Sequence, residues 1–254
     1  MANLFEQTVA ITVNPINDRP VLNTAGTNLT TIDENETALV DNAGNLVSAI
    51  MGSRTDVDTG TNGQFNGTGT GMAVTAVSTG ALGGRWEFTI DGTNWSTISL
   101  TAGQALPLLS TDSVRYVPDT FGGTTAGNLT KPSLSYRLWD TSVGTQGVVT
   151  TVALLGGSVA SSSLSADTDT VNITVTDVND APVITVPAAQ TVLEEAPLSI
   201  TGVSVGDVDI TNRNDNPATA NNDVTVSLSV THGVITLAGT TGITVDSGGN
   251  ATRA

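Results

Sequence analysis

The chain has 254 residues and a formal net charge of −16, with 24 acidic against 8 basic side chains, one histidine and no cysteine. Such a balance leaves no basic surface for nucleic acid or an anionic membrane, and no thiolate for a disulfide staple or a catalytic cysteine. The acids are 18 Asp and 6 Glu, a skew toward the residue that favours turns and cation-binding loops.

Read from the start, Val9, Ile11 and Val13 alternate with polar residues as one face of a strand, which ends in "PINDRPV" (15–21). "TIDENE" (31–36) and "TDVDTG" (55–60) follow, and "GTNGQFNGTGTG" (60–71) has the Gly and Asn content of a loop. "RWEFTIDGTNW" (85–95) places Trp86, Phe88 and Ile90 on one face and turns at Asp91-Gly92, a hairpin signal. "SVRYVP" (113–118), "SLSYRLW" (133–139) and "VVTTVALL" (148–155) supply further strands, and Val171, Ile173 and Val175 share a strand face that runs into "DVNDAPV" (177–183). "TVLEEA" (191–196), "GDVDIT" (206–211), "DVTVSLSV" (223–230) and "GVITLAG" (233–239) close the series. Helical periodicity is nearly absent, so the fold expected is all-β, and turn residues between short strands favour a β-sandwich. No apolar run is long enough to span a bilayer, and "MANLFEQTVA" lacks the charged, apolar and cleavage regions of a signal peptide. The chain therefore reads as a cytosolic protein or as a piece excised from something larger, and the strand at 8–13, which looks like the last of a preceding domain, favours the second.

Segments 8–22 and 170–184 align at an offset of 162 and share Thr, Val, Ile, Thr, Val, Asn, Asp, Pro and Val. A period that long means domains in series rather than a solenoid. Residues 1–20 are expected to be the terminal strand and linker of a preceding domain, 21–180 a complete sandwich with its linker, and 181–254 an incomplete second one. The starts of the units also correspond: Glu34 with Glu194, and the Asp56/Asp58 pair with Asp207/Asp209.

Asp-x-Asp in extended chain turns two carboxylates toward one side. Joined by a linker Asn-Asp and a glutamate, it offers five or six hard oxygen donors. Calcium takes six to eight oxygens with loose geometry, whereas magnesium demands a tighter octahedron and keeps its water. Calcium suits the set better, and zinc or copper is poorly served. These residues resemble the cadherin-like repeats of large bacterial surface adhesins, including the RTX type. "DVNDAPV" and "PINDRPV" look like that family's interdomain linker, "ENE", "LEEA" and the two "DVD" pairs like its calcium motifs, and "GGRWEFTIDGTNWSTI", "VRYVPDTFGG" and "SYRLWDTSVG" like its domain body.

The resemblance implies tandem cadherin-like or Ig-like sandwiches joined by calcium-binding linkers. It implies two sites, one of Asn17, Asp18, Asp56, Asp58 and Asp140, the other of Glu34, Asp177, Asn179, Asp180, Asp207 and Asp209. Pro15 stands where the second linker has Asp177, and the second domain has no counterpart of Asp140. The function implied is a calcium-stiffened extender on a bacterial cell surface, secreted and extracellular. Its partners would be neighbouring repeats of the same chain. The chain is read as a monomer, with the unpaired edge of the second domain either completed by another copy, as a domain swap, or disordered.

The alternative reading makes the complete domain itself a module that binds a glycan or a host-surface protein through Trp95 and the loop at 59–72. Trp86 and Trp139, set in alternating strands, are expected in the core. Catalysis is not expected: His232 sits beside a turn glycine with no nucleophile and acid arranged around it, and Glu194 and Glu195, neighbours in extended chain, point to opposite sides.

Overall fold

The structure, a computed structural model, describes residues 8–12, 16–36, 42–58, 70–118, 130–156, 161–176, 178–207 and 225–239. It divides into two compact units, Met1–Ala218 and Thr219–Ala254. The first holds fifteen strands and one short helix among its described residues: β1 (Val21–Leu22), β2 (Ile32–Asp33), β3 (Asn45–Leu46), α1 (Val47–Ile50), β4 (Arg54–Thr55), β5 (Gly71–Ser78), β6 (Arg85–Thr89), β7 (Ser96–Thr97), β8 (Gln104–Leu109), β9 (Ser113–Val117), β10 (Ser133–Trp139), β11 (Thr150–Thr151), β12 (Asp169–Asn172), β13 (Val175–Thr176), β14 (Val183–Thr185) and β15 (Ser204–Gly206). The fold is all-β, as the alternation requires.

Two sheets share the main core. One has the order β11-β8-β5-β10-β12, the other β3-β9-β6-β7. The first contributes Met72, Val74, Leu106, Leu108, Leu134, Tyr136, Leu138 and Val171, and the second contributes Trp86, Val114 and Tyr116. The Trp86 and Tyr116 rings meet with centroids 5.5 Å apart and planes tilted by 57°, the offset arrangement that aromatic quadrupoles prefer. Trp86 Nε1 donates to the Ser78 carbonyl at 2.9 Å, so the buried indole leaves no polar atom unsatisfied. A smaller cluster of Ala73, Ala105, Trp139, Leu155 and Leu164 lies apart from the main core. Alternation along β10 divides it between the two: Leu134, Tyr136 and Leu138 enter the main core and Trp139, on the other face, enters the smaller cluster.

Alternation at Val171, Ile173 and Val175 is realised as burial, but the strand changes partner midway. β12 pairs antiparallel with β10, and β13 then runs parallel to β2, with Val175 opposite Ile32 and Thr176 opposite Asp33. The Leu29, Ile32 and Glu34 amides donate to the Asn172, Thr174 and Thr176 carbonyls at 2.9, 3.1 and 3.0 Å. The final strand thus closes the main sheet and anchors the first segment of the domain.

Several local expectations change. "VVTTVALL" is a strand only at Thr150–Thr151 and then turns, because Leu155 is drawn into the smaller cluster. β6 and β7 do form a hairpin, yet its connection spans residues 90–95 rather than two residues. Asp91 organises that longer loop: its Oδ1 accepts from the Thr93 and Asn94 amides at 2.8 and 2.7 Å, and these bonds hold its pKa well below the ordinary value. Ile90, expected on one strand face with Trp86 and Phe88, is exposed in the connection. Residues 8–12 form no strand, and no strand appears in 225–239, where "DVTVSLSV" and "GVITLAG" had promised two. A strand needs a partner for its backbone groups, and alternation cannot supply one.

A polar clamp fastens the start of the domain to the sheet. The Tyr136 hydroxyl donates to Asp169 Oδ2 at 2.9 Å and accepts from the Gly52 amide at 3.2 Å, while the Gly26 amide also donates to Asp169 Oδ2. Burial and the neighbouring carboxylate both push the phenol's pKa up, which keeps it a donor. A Cβ on Gly52 would fall inside van der Waals contact of the Thr24 carbonyl. Gly52→Ala is therefore expected to destabilise the protein by about 2 kcal/mol, an overpacking cost, read as a lower urea midpoint with an unchanged slope.

Candidate functional site

Pairing of β1 with β4 sets Val21 opposite Thr55. The linker before β1 and the acids after β4 are thereby carried to one edge. Asp140 arrives from elsewhere, as the residue after β10, and is only 1% exposed. All five residues expected at the first junction are described, and hydrogen bonds tie them into two linked groups. Asn17 Nδ2 donates to Asp140 Oδ2 at 3.0 Å, the Asp18 amide donates to Asp58 Oδ2 at 2.6 Å, and the Asp58 amide donates to Asp56 Oδ1 at 3.0 Å.

The electrostatics join the groups. Burial pushes the Asp56 carboxyl up, and the charges of Asp140, Asp58 and Asp18 push the same way, against the lowering effect of the Asp58 amide. Asp56 therefore sits within reach of three further carboxylates at this edge. Asp140 is held from behind: its amide donates to the Ser163 carbonyl at 3.0 Å, and its Oδ1 accepts from the Ser142 amide and hydroxyl at 2.8 and 2.6 Å. Thr141, between them, has φ +67°, a conformation costly for a β-branched residue. Ser142 was not anticipated from sequence, although a Ser two places after an Asp is a recognisable side-chain-to-backbone turn. The Ser161 and Ser162 carbonyls, each 3.5 Å from Asn17 Nδ2, had no signal in the sequence.

At the second junction, Glu34 is 4% exposed and its Oε1 accepts from the Val178 amide at 2.7 Å. Asn35 Nδ2 reaches Asp180 Oδ1 at 3.4 Å. β14 pairs with β15 so that Val183 faces Gly206, and Asp207 follows directly. This repeats the pairing of corresponding positions in the first unit: Val21 faces Thr55, then comes Asp56. The linkers also repeat a contact, Asn17 Nδ2 to the Asp18 carbonyl at 3.1 Å and Asn179 Nδ2 to the Asp180 carbonyl at 2.9 Å. Asp177 and Asp209 lie outside the described residues.

Among the described residues, no three His, Cys, Asp or Glu side chains already stand at ligand spacing around one point. The donors nevertheless suit a hard cation. They are carboxylate, amide and main-chain oxygens; rotating the Asn17 amide would replace Nδ2 by Oδ1. They do not suit a thiophilic metal.

The aromatic alternative fares differently. Trp86 and Trp139 are buried as expected. Trp95 is half-buried beneath the Arg115 guanidinium, whose Cζ lies 3.9 Å from the ring centroid. That cation–π contact occupies one face of the ring. His232 is exposed in a bend. No described helix is long and apolar enough to cross a membrane. No family model, curated protein or solved structure matches this chain.

Proposed function

We propose that this chain is a calcium-rigidified extender module from the surface of a bacterium, a set of tandem sandwich domains whose junctions stiffen when the ion binds. The observation that carries the reading is the gathering of Asp18, Asp56, Asp58 and Asp140 beside Asn17, where burial first and then the neighbouring charges push the Asp56 carboxyl up. Its support is the repeated wiring at the second linker. These residues come from three separate stretches of chain, so an ion bound among them ties linker, first edge and sheet end together. When bound, calcium supplies charge neutralisation and oxygen coordination. The chain itself supplies orientation, because Ser142 fixes the Asp140 carboxylate and Glu34 holds the following linker by its Val178 amide. Calcium modules outside cells bind at about 10⁻⁴ to 10⁻³ M, so such a joint is loose in a cytosol and stiff outside it. The activity is mechanical: it holds binding domains of a larger adhesin away from the cell.

Thermal unfolding in EGTA and in millimolar calcium, with small-angle scattering on both samples, tests this. At free calcium of about ten times Kd the stabilisation is about 1.4 kcal/mol, which for a domain of this size raises Tm by about 3–6 °C. The maximum dimension should lengthen with it. Indifference to calcium in both measurements sinks the reading.

A further inference from the structure

The smaller apolar cluster stands apart from the main core, and the two segments it anchors meet at Asp140. Trp139, Leu155 and Leu164 are buried in it, and Trp139 forms an antiparallel bridge with Leu164. Asp140 follows Trp139 directly, and its amide donates to the Ser163 carbonyl at 3.0 Å. Ser163 is itself pinned: its amide and hydroxyl donate to the Leu155 carbonyl at 3.2 and 2.8 Å, and the Ser162 hydroxyl donates to the same oxygen at 3.2 Å. Both serines are buried. From the other direction, Trp139 Nε1 donates to the Val143 carbonyl at 2.7 Å, which closes residues 139–143 into a ring around the bonds from Ser142 to Asp140 Oδ1. A Cβ on Gly144 would fall 2.6 Å from Leu155 Cδ2, so the end of that loop lies directly on the Leu155 side chain.

We infer that the smaller cluster is the mount of the cation seat: Trp139 and Leu155 are positioning residues that fix the Asp140 carboxylate against Asn17, Trp139 through the Val143 carbonyl and Leu155 through Ser163. This rests on the calcium reading above. The two act from different elements, one as the last residue of β10 and the other beyond β11. A carboxylate already aimed at its place loses little freedom when an ion arrives, whereas a loose one must be ordered first, which lowers affinity. Groups behind a ligand therefore set metal affinity without touching the metal. The mount has a force to resist, because Asp140 and Asp56 repel each other across the edge, and a carboxylate free to turn moves away from like charge. Since the cluster is separate from the main core, loosening it acts on the seat before it acts on the sandwich.

Calcium titration calorimetry and amide hydrogen exchange in EGTA test this on the full chain, with Asp140→Asn marking the titration step that belongs to the first junction. Leu155→Ala hollows the mount, and Trp139→Phe keeps the ring but removes its donor to Val143. Ile98→Ala, a truncation in the main core, is the control for lost stability. The two mount variants are expected to weaken that calcium step by about tenfold, and in EGTA to speed exchange at the Asp140 and Ser142 amides. Ile98→Ala is expected to lower the urea midpoint yet leave calcium affinity within about twofold of wild type and those two amides unchanged. Should Leu155→Ala fail to fold, Trp139→Phe carries the test alone. If wild type binds calcium and the mount variants bind it equally well, or the control weakens binding as much as they do, the inference is overturned and the calcium reading stands. A wild type that takes up no calcium overturns both.

Discussion

Replacing Arg115 by methionine is expected to lower the unfolding free energy by about 3 kcal/mol, the loss usual when one partner of a buried ion pair is removed. Arg115 and Glu87 are each 6% exposed. Arg115 Nε and Nη2 donate to Glu87 Oε2 at 2.8 and 2.7 Å, and Nη1 donates to the Asn42 carbonyl at 3.1 Å. Arg85 Nε takes the other carboxylate oxygen at 2.7 Å. Burial alone would raise the Glu87 pKa, but the hydrogen bonds from Arg85 and Arg115 outweigh it and hold the group below its ordinary 4.5. A folded-state pKa below the unfolded one contributes stability above about pH 4.5, and that contribution is lost as pH falls through the lower folded value. Arg115→Met leaves Glu87 buried with one partner, so its pKa climbs and part of the loss already shows at pH 5. Arg115→Lys is expected to recover only part, since an ammonium reproduces neither the fork toward Glu87 nor the flat stack on Trp95. Urea unfolding of the three proteins at pH 5 and pH 7 checks this; a Lys variant equal to wild type would show that charge alone matters there.

Asp56→Asn should change sign with the ion. In EGTA the substitution removes a half-buried charge that Asp140, Asp58 and Asp18 oppose, while an oriented amide oxygen still accepts from the Asp58 backbone. The variant is therefore expected to melt a few degrees above wild type. In calcium the order reverses, because one hard donor and one negative charge are gone, and the calcium needed for half-maximal stabilisation rises by about tenfold, worth about 1.4 kcal/mol. The pH dependence in EGTA has the matching sign. With its folded pKa above 3.8, Asp56 weighs against the fold at neutral pH, and stability is regained as pH falls through that raised value. Asp140→Asn should weaken the calcium response as strongly without the gain in EGTA, because Asp140 anchors Ser142 and Asn17 as well. A variant at Asp56 that is less stable than wild type in EGTA would mean that the carboxylate is already well compensated.

What the sequence determined by itself was whatever depends on neighbours in the chain. Alternation at Val171, Ile173 and Val175 marked a buried strand face, "RWEFT" a strand, and the copied "NDxPV" segments marked two equivalent linkers, because side-chain direction in extended chain repeats every two residues. The same locality explains the failures. "VVTTVALL" and "DVTVSLSV" alternate as well as β10 does, but a strand exists only where a partner takes its amides and carbonyls, and no local pattern encodes the partner. Tertiary structure alone decided that the chain, after pairing with β10 as β12, turns at β13 to run parallel with β2, and that Thr75 is skipped in the β10–β5 ladder. It also brought Asp140 to Asn17, 123 residues away, with Ser142 behind it. Glu87 shows the limit most clearly: its strand spacing puts it opposite Trp86 and Phe88, a face that reads as solvent, yet it is buried between two arginines. Burial of a charge depends on which distant groups arrive to pair with it.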